Sequence, residues 1–503
     1  MSTTSSTVTE PAPSAPRATS TLATRHGVLT LALLCAVAFL DFIDASIVNV
    51  ALPSIRHDLG FTVQGLQWVL SGYLLTYGGF MLLGGRAGDL LGRRRVLVAG
   101  TAVFGLSSFA GGLATEPWML VGARLAQGVG AAMMLPAALS LLTTTFRDGP
   151  DRHRALGVWG GVGGLASAAG VLLGGLLTDG PGWRWVLFVN PPICVLLLAA
   201  TFWIIPPDVR RPKFAGFDVV GSVLVTAGML LLVFALIKAP SQGWGSVRTI
   251  GELAGAAVLL LAFLVNERRS RDALVPLSVF RIRGLAAADV TQLVALAGLL
   301  AMFFFLTLYM QLVLGWSPMR TGLAYLPLCA GVAVAAGVTA QLIRPVGTKP
   351  LVVVGALVAA AGLATLSRVP VHGSYLHDLL PGLLVVSIGL GAVFVANTTA
   401  ANAGVPADKA GLAAALLNAS QQVGGALGLA ILSAVATART ADLLAAHTDA
   451  AQALTGGIHR ALLVGSVFVL ATAVVALATT NTRGEHDDAE GTAGSEDTAA
   501  LVG

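Results

Sequence analysis

Apolar residues in this chain do not alternate, nor do they mark one face of a helix. They come in long unbroken runs separated by short polar turns. A helix rises about 1.5 Å per residue, so crossing a hydrocarbon core of roughly 30 Å takes about 18 or more apolar positions in succession. Fourteen runs meet that length: 28–53, 66–84, 96–114, 118–142, 155–178, 185–205, 217–237, 248–265, 285–313, 322–343, 350–367, 378–401, 411–437 and 460–479. The pattern predicts an all-α polytopic membrane protein of fourteen spans. The ends are different in kind. Residues 1–27 are rich in Ser, Thr, Ala and Pro, and residues 480–503 are polar and acidic, so both read as disordered tails. The first run is too long for a signal-peptide core and is expected to stay as the first span.

Composition agrees: 55% of residues are hydrophobic, 11% are charged and mean hydropathy is +0.82. The pI near 9.4 does not point to nucleic acid, because the basic residues sit in the short loops between spans. With the N-terminus placed inside, 21 of the 30 Lys and Arg fall on that side. The positive-inside rule then puts both termini in the cytoplasm, as expected for a multi-pass protein of the inner (cytoplasmic) membrane. Cys35, Cys194 and Cys329 lie in separate spans without ligand or pairing spacing, and the eight His show no metal pattern. None of the four lysines follows a glycine, so a phosphate-binding GK[ST] loop is absent and ATP is not the expected energy source. No cofactor is expected beyond protons as a coupling ion. The stretch GGVGG at 160–164 reads as small residues that let helices pack closely or bend in a membrane.

A weak internal echo organises the spans. GRAGDLLGRRRVLVAG at 85–100 and AQLIRPVGTKPLVVVG at 340–355 place Gly92 and Gly100 on Gly347 and Gly355, with basic residues in the turn between. This equates spans 2 and 3 with spans 10 and 11. It leaves a six-span half at 28–205, a second at 285–479, and an extra pair with its linker at 206–284. Paired six-helix halves are a transporter plan, with the substrate near the midplane between them.

Two further features need chemistry. Asp41 and Asp44 in span 1 are about 60° apart around a helix and about 4.5 Å along it, so both can face one cavity and share a proton. A lipophilic cation entering there would favour the ionised form and displace that proton. The competing reading makes either acid a hydrogen-bonded structural residue. Arg124 lies inside span 4 with no acid on its own helix. A charge at that depth costs about 2.5–3.5 kcal/mol on insertion scales, so it either faces a cavity or partner, or snorkels to an interface.

IDASIVNVALP (43–53), GRAGDLLGRRRVL (85–97), LVGARLAQGVGAA (120–132) and GGVGGLASAAGVLLGGLL (160–177) fall in order on spans 1, 2–3, 4 and 5. So do WRWVLFVNPPI (183–193), QLVLGWSPMRTGLAYLP (311–327) and AGLAAALLNASQQVGGALGLAIL (410–432) on later spans. From about residue 28 to 480 the chain resembles the 14-span drug:proton antiporters of the major facilitator superfamily. Ser46, Ala87, Leu90 and Val171 stand where that family usually has Thr, Leu, Arg and Pro. The resemblance implies the major facilitator fold, two six-helix halves plus two extra helices, in a protein that is no enzyme and works as a monomer. It implies proton coupling through Asp44, with Asp41 and Arg124 beside it. It also implies a gating loop of Gly85, Asp89, Gly92, Arg93 and Arg94, in which Asp89 latches onto the start of span 13 near Gly411; otherwise Asp89 is a solvated loop acid. Gly170, Gly174 and Gly175 belong to the exporter glycine motif. Candidate cavity residues are Trp68, Tyr73, Gln127, Met133, Asn190, Asp289, Asn397, Asn418 and Gln421. Trp68 is equally readable as an interface residue, and Met133 and Met134 as packing.

The expected function is proton-coupled export of lipophilic drugs or antibiotics from the cytoplasm, conferring resistance. The Ala- and Gly-heavy, Lys-poor composition suggests self-resistance in an antibiotic-producing actinobacterium, with a puromycin-like or other amphiphilic compound as substrate. The alternatives are a proton-coupled metabolite transporter and, from another class, a membrane receptor or scaffold, which would not need Asp44 and Arg124 in the bilayer.

Overall fold

A computed structural model describes residues 22, 24–146, 150–208, 218–270, 273, 277–282, 284–403, 405 and 410–483. Most of both tails and of the linkers after spans 6 and 8 therefore lie outside the described residues. Among the described residues fourteen helices are long and apolar enough to cross a membrane, as the run lengths predict. The first six spans are α1 (Arg25–Leu59), α2 and α3 (Val63–Leu66, Trp68–Leu91), α4 (Arg93–Gly112), α5 (Pro117–Thr145), α6 (Pro150–Asp179), and α7 with α8 (Arg184–Phe188, Asn190–Ile204). Spans 7 and 8 are α9 (Val219–Gln242) and α10 (Val247–Arg269). The last six are α11 (Leu285–Leu308) with its π-helical extension Tyr309–Val313, α12 (Pro318–Val346), α13 (Thr348–Leu366), α14 (Leu380–Asn402), α15 (Ala410–Ala445) and α16 (Ala450–Ala476).

Several helices overrun the apolar pattern. Span 1 was expected to stop at Pro53, yet α1 continues to Leu59 and ends where Gly60, at φ 70°, turns its N–H back to the Arg56 carbonyl. A proline costs a helix one hydrogen bond without obliging it to stop, whereas a left-handed glycine supplies a real C-cap.

The echo between loops 2–3 and 10–11 has a structural counterpart. Gly92 (φ 107°) and Gly347 (φ 88°) both hold backbone conformations that side chains resist, and each joins two spans in a one-residue turn. Asp208, just after span 6, accepts from the backbone N–H of Arg94 (3.3 Å) and Arg95 (3.1 Å) and so caps α4. Asn481, just after span 14, accepts from the backbone N–H of Lys349 (3.0 Å) and caps α13 in the same way. A side chain at Gly92 would strike the Asp208 carboxylate, and one at Gly347 the Asn481 amide. Each six-helix set is thus closed by its own last residues.

The two sets meet at the end of the bundle that carries Asp58. There α1 touches α11, where Asn49 Nδ2 donates to Thr307 Oγ1 (3.1 Å) and the Phe303 carbonyl (3.3 Å), and Gln311 Nε2 donates to the Val50 carbonyl (2.9 Å). At the same end α6 packs on α12. Gly175 lies against the backbone of Pro318 and Met319, Gly322 lies against Val171, and Asp179 accepts from the backbone N–H of Met319 (2.8 Å) at the start of α12. A third seam joins α3 to α15, and α9 lies along it in contact with both. Thr226 of α9 fits against Gly79, and Phe234 stands 6.4 Å from the Trp68 ring.

Candidate functional site

The first six-helix set is centred on a buried ion pair. Arg124 and Asp44 are both 0% exposed, and Arg124 Nη1 donates to Asp44 Oδ2 at 2.6 Å. Asp44 Oδ1 accepts from Gln127 Nε2 (2.8 Å) and Asn190 Nδ2 (2.7 Å). Asn190 also donates to Ser108 Oγ (3.0 Å). Arg124 gives Nε to the Val69 carbonyl (3.1 Å) and Nη1 to Gln127 Oε1 (2.7 Å), and its guanidinium carbon stands 4.3 Å from the centre of the Tyr73 ring. Spans 1, 2, 3, 4 and 6 are therefore tied through one carboxylate.

Helical spacing explains how Arg124 and Gln127 act together. Three positions apart, they share a face of α5 and reach the same carboxylate. Gly128, beside Gln127, lets α5 approach α3 so closely that an added Cβ would meet the Tyr73 carbonyl. An unpaired ion at this depth would cost several kcal/mol, and the three donors on Asp44 offset that cost.

Asp41 belongs to a second network. Its Oδ1 accepts from the Tyr73 hydroxyl (2.6 Å) and its Oδ2 from the Tyr77 hydroxyl (3.0 Å). The two aspartates, read from the sequence as able to share a proton, each have their own donors here. The angular offset turns Asp41 towards α3 and Asp44 towards α5. Tyr73 joins the networks, with its hydroxyl on Asp41 and its ring against Arg124. Tyr77 and Ser108 escaped the sequence reading. The only signal for Tyr77 was its spacing of four from Tyr73.

Other sequence candidates distribute unevenly. Met133 is half-buried and Met134 is buried in the apolar core beside Gly100. Trp68 is half-buried against Phe234. Asn418 bonds only within its own helix, to the Ala414 carbonyl (2.9 Å). Asn397 donates to Gln292 Oε1 (2.9 Å) and to the Ala288 carbonyl (3.0 Å), and Gln292 donates to Gln421 Oε1 (3.3 Å). Asp289 is buried one turn into α11. Gly170 and Gly174 sit against the backbone of Ile43 and Ile47 on α1. Gly160, Gly161 and Gly164 face open space, so the packing role expected for that stretch is not met there. Asp89 is exposed and pairs with Arg93 at 3.3 Å; Arg94 Nη2 bonds the Phe202 carbonyl (3.0 Å). Gly85 is half-buried beside Pro136. The start of α15 near Gly411, which the Asp89 latch was expected to reach, adjoins residues 406–409, which lie outside the described set.

A family model for the Major Facilitator Superfamily matches residues 34–429. The chain belongs to this superfamily. It is 39% identical over 470 residues to the puromycin resistance protein pur8 of Streptomyces alboniger, covering 92% of this chain and 93% of that protein. It is also 39% identical over 434 residues to the cephamycin export protein CmcT of Amycolatopsis lactamdurans, covering 85% and 89%. The crystal structure of an inward-facing, unoccupied bacterial homologue of the human lysosomal transporter Spinster shares the fold, with a TM-score of 0.65, 16% identity, and coverage of 91% and 97%. As a Major Facilitator Superfamily member, the chain is a multi-pass membrane transporter and not an enzyme.

Proposed function

We propose that this transporter exports amphiphilic antibiotics in exchange for protons, with the Arg93 end of the bundle in the cytoplasm. The observation that carries the reading is the Asp44–Arg124 pair, fully buried and tied to Gln127 and Asn190 in the first six-helix set. A purely structural anchor in lipid would be less costly as packed apolar side chains, because a buried ion pair contributes little net stability. Its value lies in what a proton does to it. Protonating Asp44 removes the charge that holds Arg124, and a bistable helix bundle can convert that local change into movement of one half against the other. That two relatives are a puromycin resistance protein and a cephamycin export protein supports an antibiotic as cargo. The Asp41–Tyr73–Tyr77 cluster beside the pair is the second polar group a cationic substrate would disturb.

Everted membrane vesicles with an acidified lumen test this. Adding puromycin should release protons from the lumen, followed by a pH-sensitive dye, and Asp44→Asn should abolish the response. Transport that proceeds equally with a protonophore present, or that survives unchanged in both Asp44→Asn and Arg124→Ala, overturns the proposal.

A further inference from the structure

The second six-helix set contains an acid with no such partners. Asp289 is 5% exposed, and neither of its carboxylate oxygens accepts a hydrogen bond. Beside it Asn397 spends its amide N–H groups on Ala288 and Gln292, and its own carbonyl oxygen is also without a donor. These three buried acceptor oxygens have no donor among the described residues.

Charged groups on the neighbouring elements lie elsewhere. Arg281 on the short turn before α11, Arg483 after α16, and Arg86 and Asp89 on α3 are all exposed. Arg439 and Asp442 are in the last turns of α15. His459, next to Arg460 on α16, bonds the Val369 carbonyl (2.6 Å), and His377 and Asp378 begin span 12. None of these donates to Asp289. An ionised carboxylate so placed would be uncompensated, and a buried carboxyl in that position takes up a proton instead. One proton both removes the charge and turns an acceptor into a donor.

We propose that Asp289 is a second proton-binding carboxylate of the transport cycle, loaded in this conformation, so that two protons move against each monovalent cation. The inference rests on the coupled-export reading above. Its flanking residues Leu285 and Ala288 share an apolar cluster with Leu416 and Leu417 of α15 and with Leu82 and Leu83 of α3. Parting of the α3–α15 seam admits water to the carboxyl, which then releases its proton at the Arg93 end. No bond other than O–H changes.

Two measurements decide it. Infrared spectra of the purified protein in lipid near neutral pH should contain a protonated-carboxyl C=O band that is lost in Asp289→Asn and kept in Asp44→Asn. Asp289→Glu should retain a shifted band, showing that the fold accepts an acid there. Absence of any band difference between wild type and Asp289→Asn overturns the proposal.

The second measurement uses proteoliposomes with an acidic interior and ethidium as the monovalent cation. Exchange of two protons outward for one ethidium inward carries net positive charge out. An inside-positive potential should therefore speed uptake by the wild type, and this response should vanish in Asp289→Asn. An equal response to potential in both proteins overturns the second site. If the wild type shows no pH-driven ethidium uptake, that result counts against coupled export of this cation, and the infrared band alone decides the fate of Asp289.

Discussion

Asp44 has three donors and Arg124 has a carboxylate, an amide, a carbonyl and a ring, so removing either partner leaves the other stranded. Arg124→Ala should destabilise the purified protein by about 3–5 kcal/mol, read as a drop in melting temperature. Asp44→Asn combined with Arg124→Gln should recover much of that loss without recovering proton-coupled transport. A double variant that melts no higher than Arg124→Ala would mean that the pair is not the stabilising unit. Tyr73 offers a finer division. Tyr73→Phe removes the hydroxyl from Asp41 and keeps the ring under Arg124, and should cost about 1.5–3 kcal/mol; Tyr73→Leu should cost more because the ring contact goes too. The sequence made Asp41, Asp44, Arg124, Gln127 and Asn190 visible because polar groups stand out in oily runs. Their grouping was not visible. Asp44 and Arg124 are eighty positions apart, and no periodicity reports which faces of spans 1, 4 and 6 turn towards each other.

At the level of helices, length and hydropathy were enough to find every span, since lipid obliges each to be a helix and to be long. What they could not show was how the ends are finished. The caps come from residues remote in sequence, as Asp208 does for α4. Asp208→Ala should leave two N–H groups of α4 unsatisfied and cost about 0.5–2 kcal/mol, measurable as a lower melting temperature with the helical content unchanged. The Asp179 contact with α12 differs in kind, because it joins the two six-helix sets. An anion at a helix N-terminus contributes about 0.3–1 kcal/mol. Asp179→Ala should accordingly shift the population towards opening at the Asp58 end by about two- to fivefold. Spin labels placed on the ends of α6 and α12 would report this as a larger fraction of long distances. An unchanged distance distribution would remove Asp179 from the gate.

For the molecule as a whole, the weak glycine echo in the sequence falls on two turns of the same build. Gly92 and Gly347, each with a cap delivered from its own set's final residues, mark two similarly closed units. Spans 7 and 8 stand outside that symmetry. α10 packs almost wholly on α9 and turns most of its surface outward, whereas α9 lies against both α3 and α15. The consequence concerns traffic from the bilayer. A compound dissolved in lipid that approaches the α3–α15 seam meets Thr226 and Phe234 instead of a gap, so that flank of the bundle is shuttered. The opposite seam, where α6 packs on α12, has neither extra span laid along it, so the two flanks of the bundle face lipid differently.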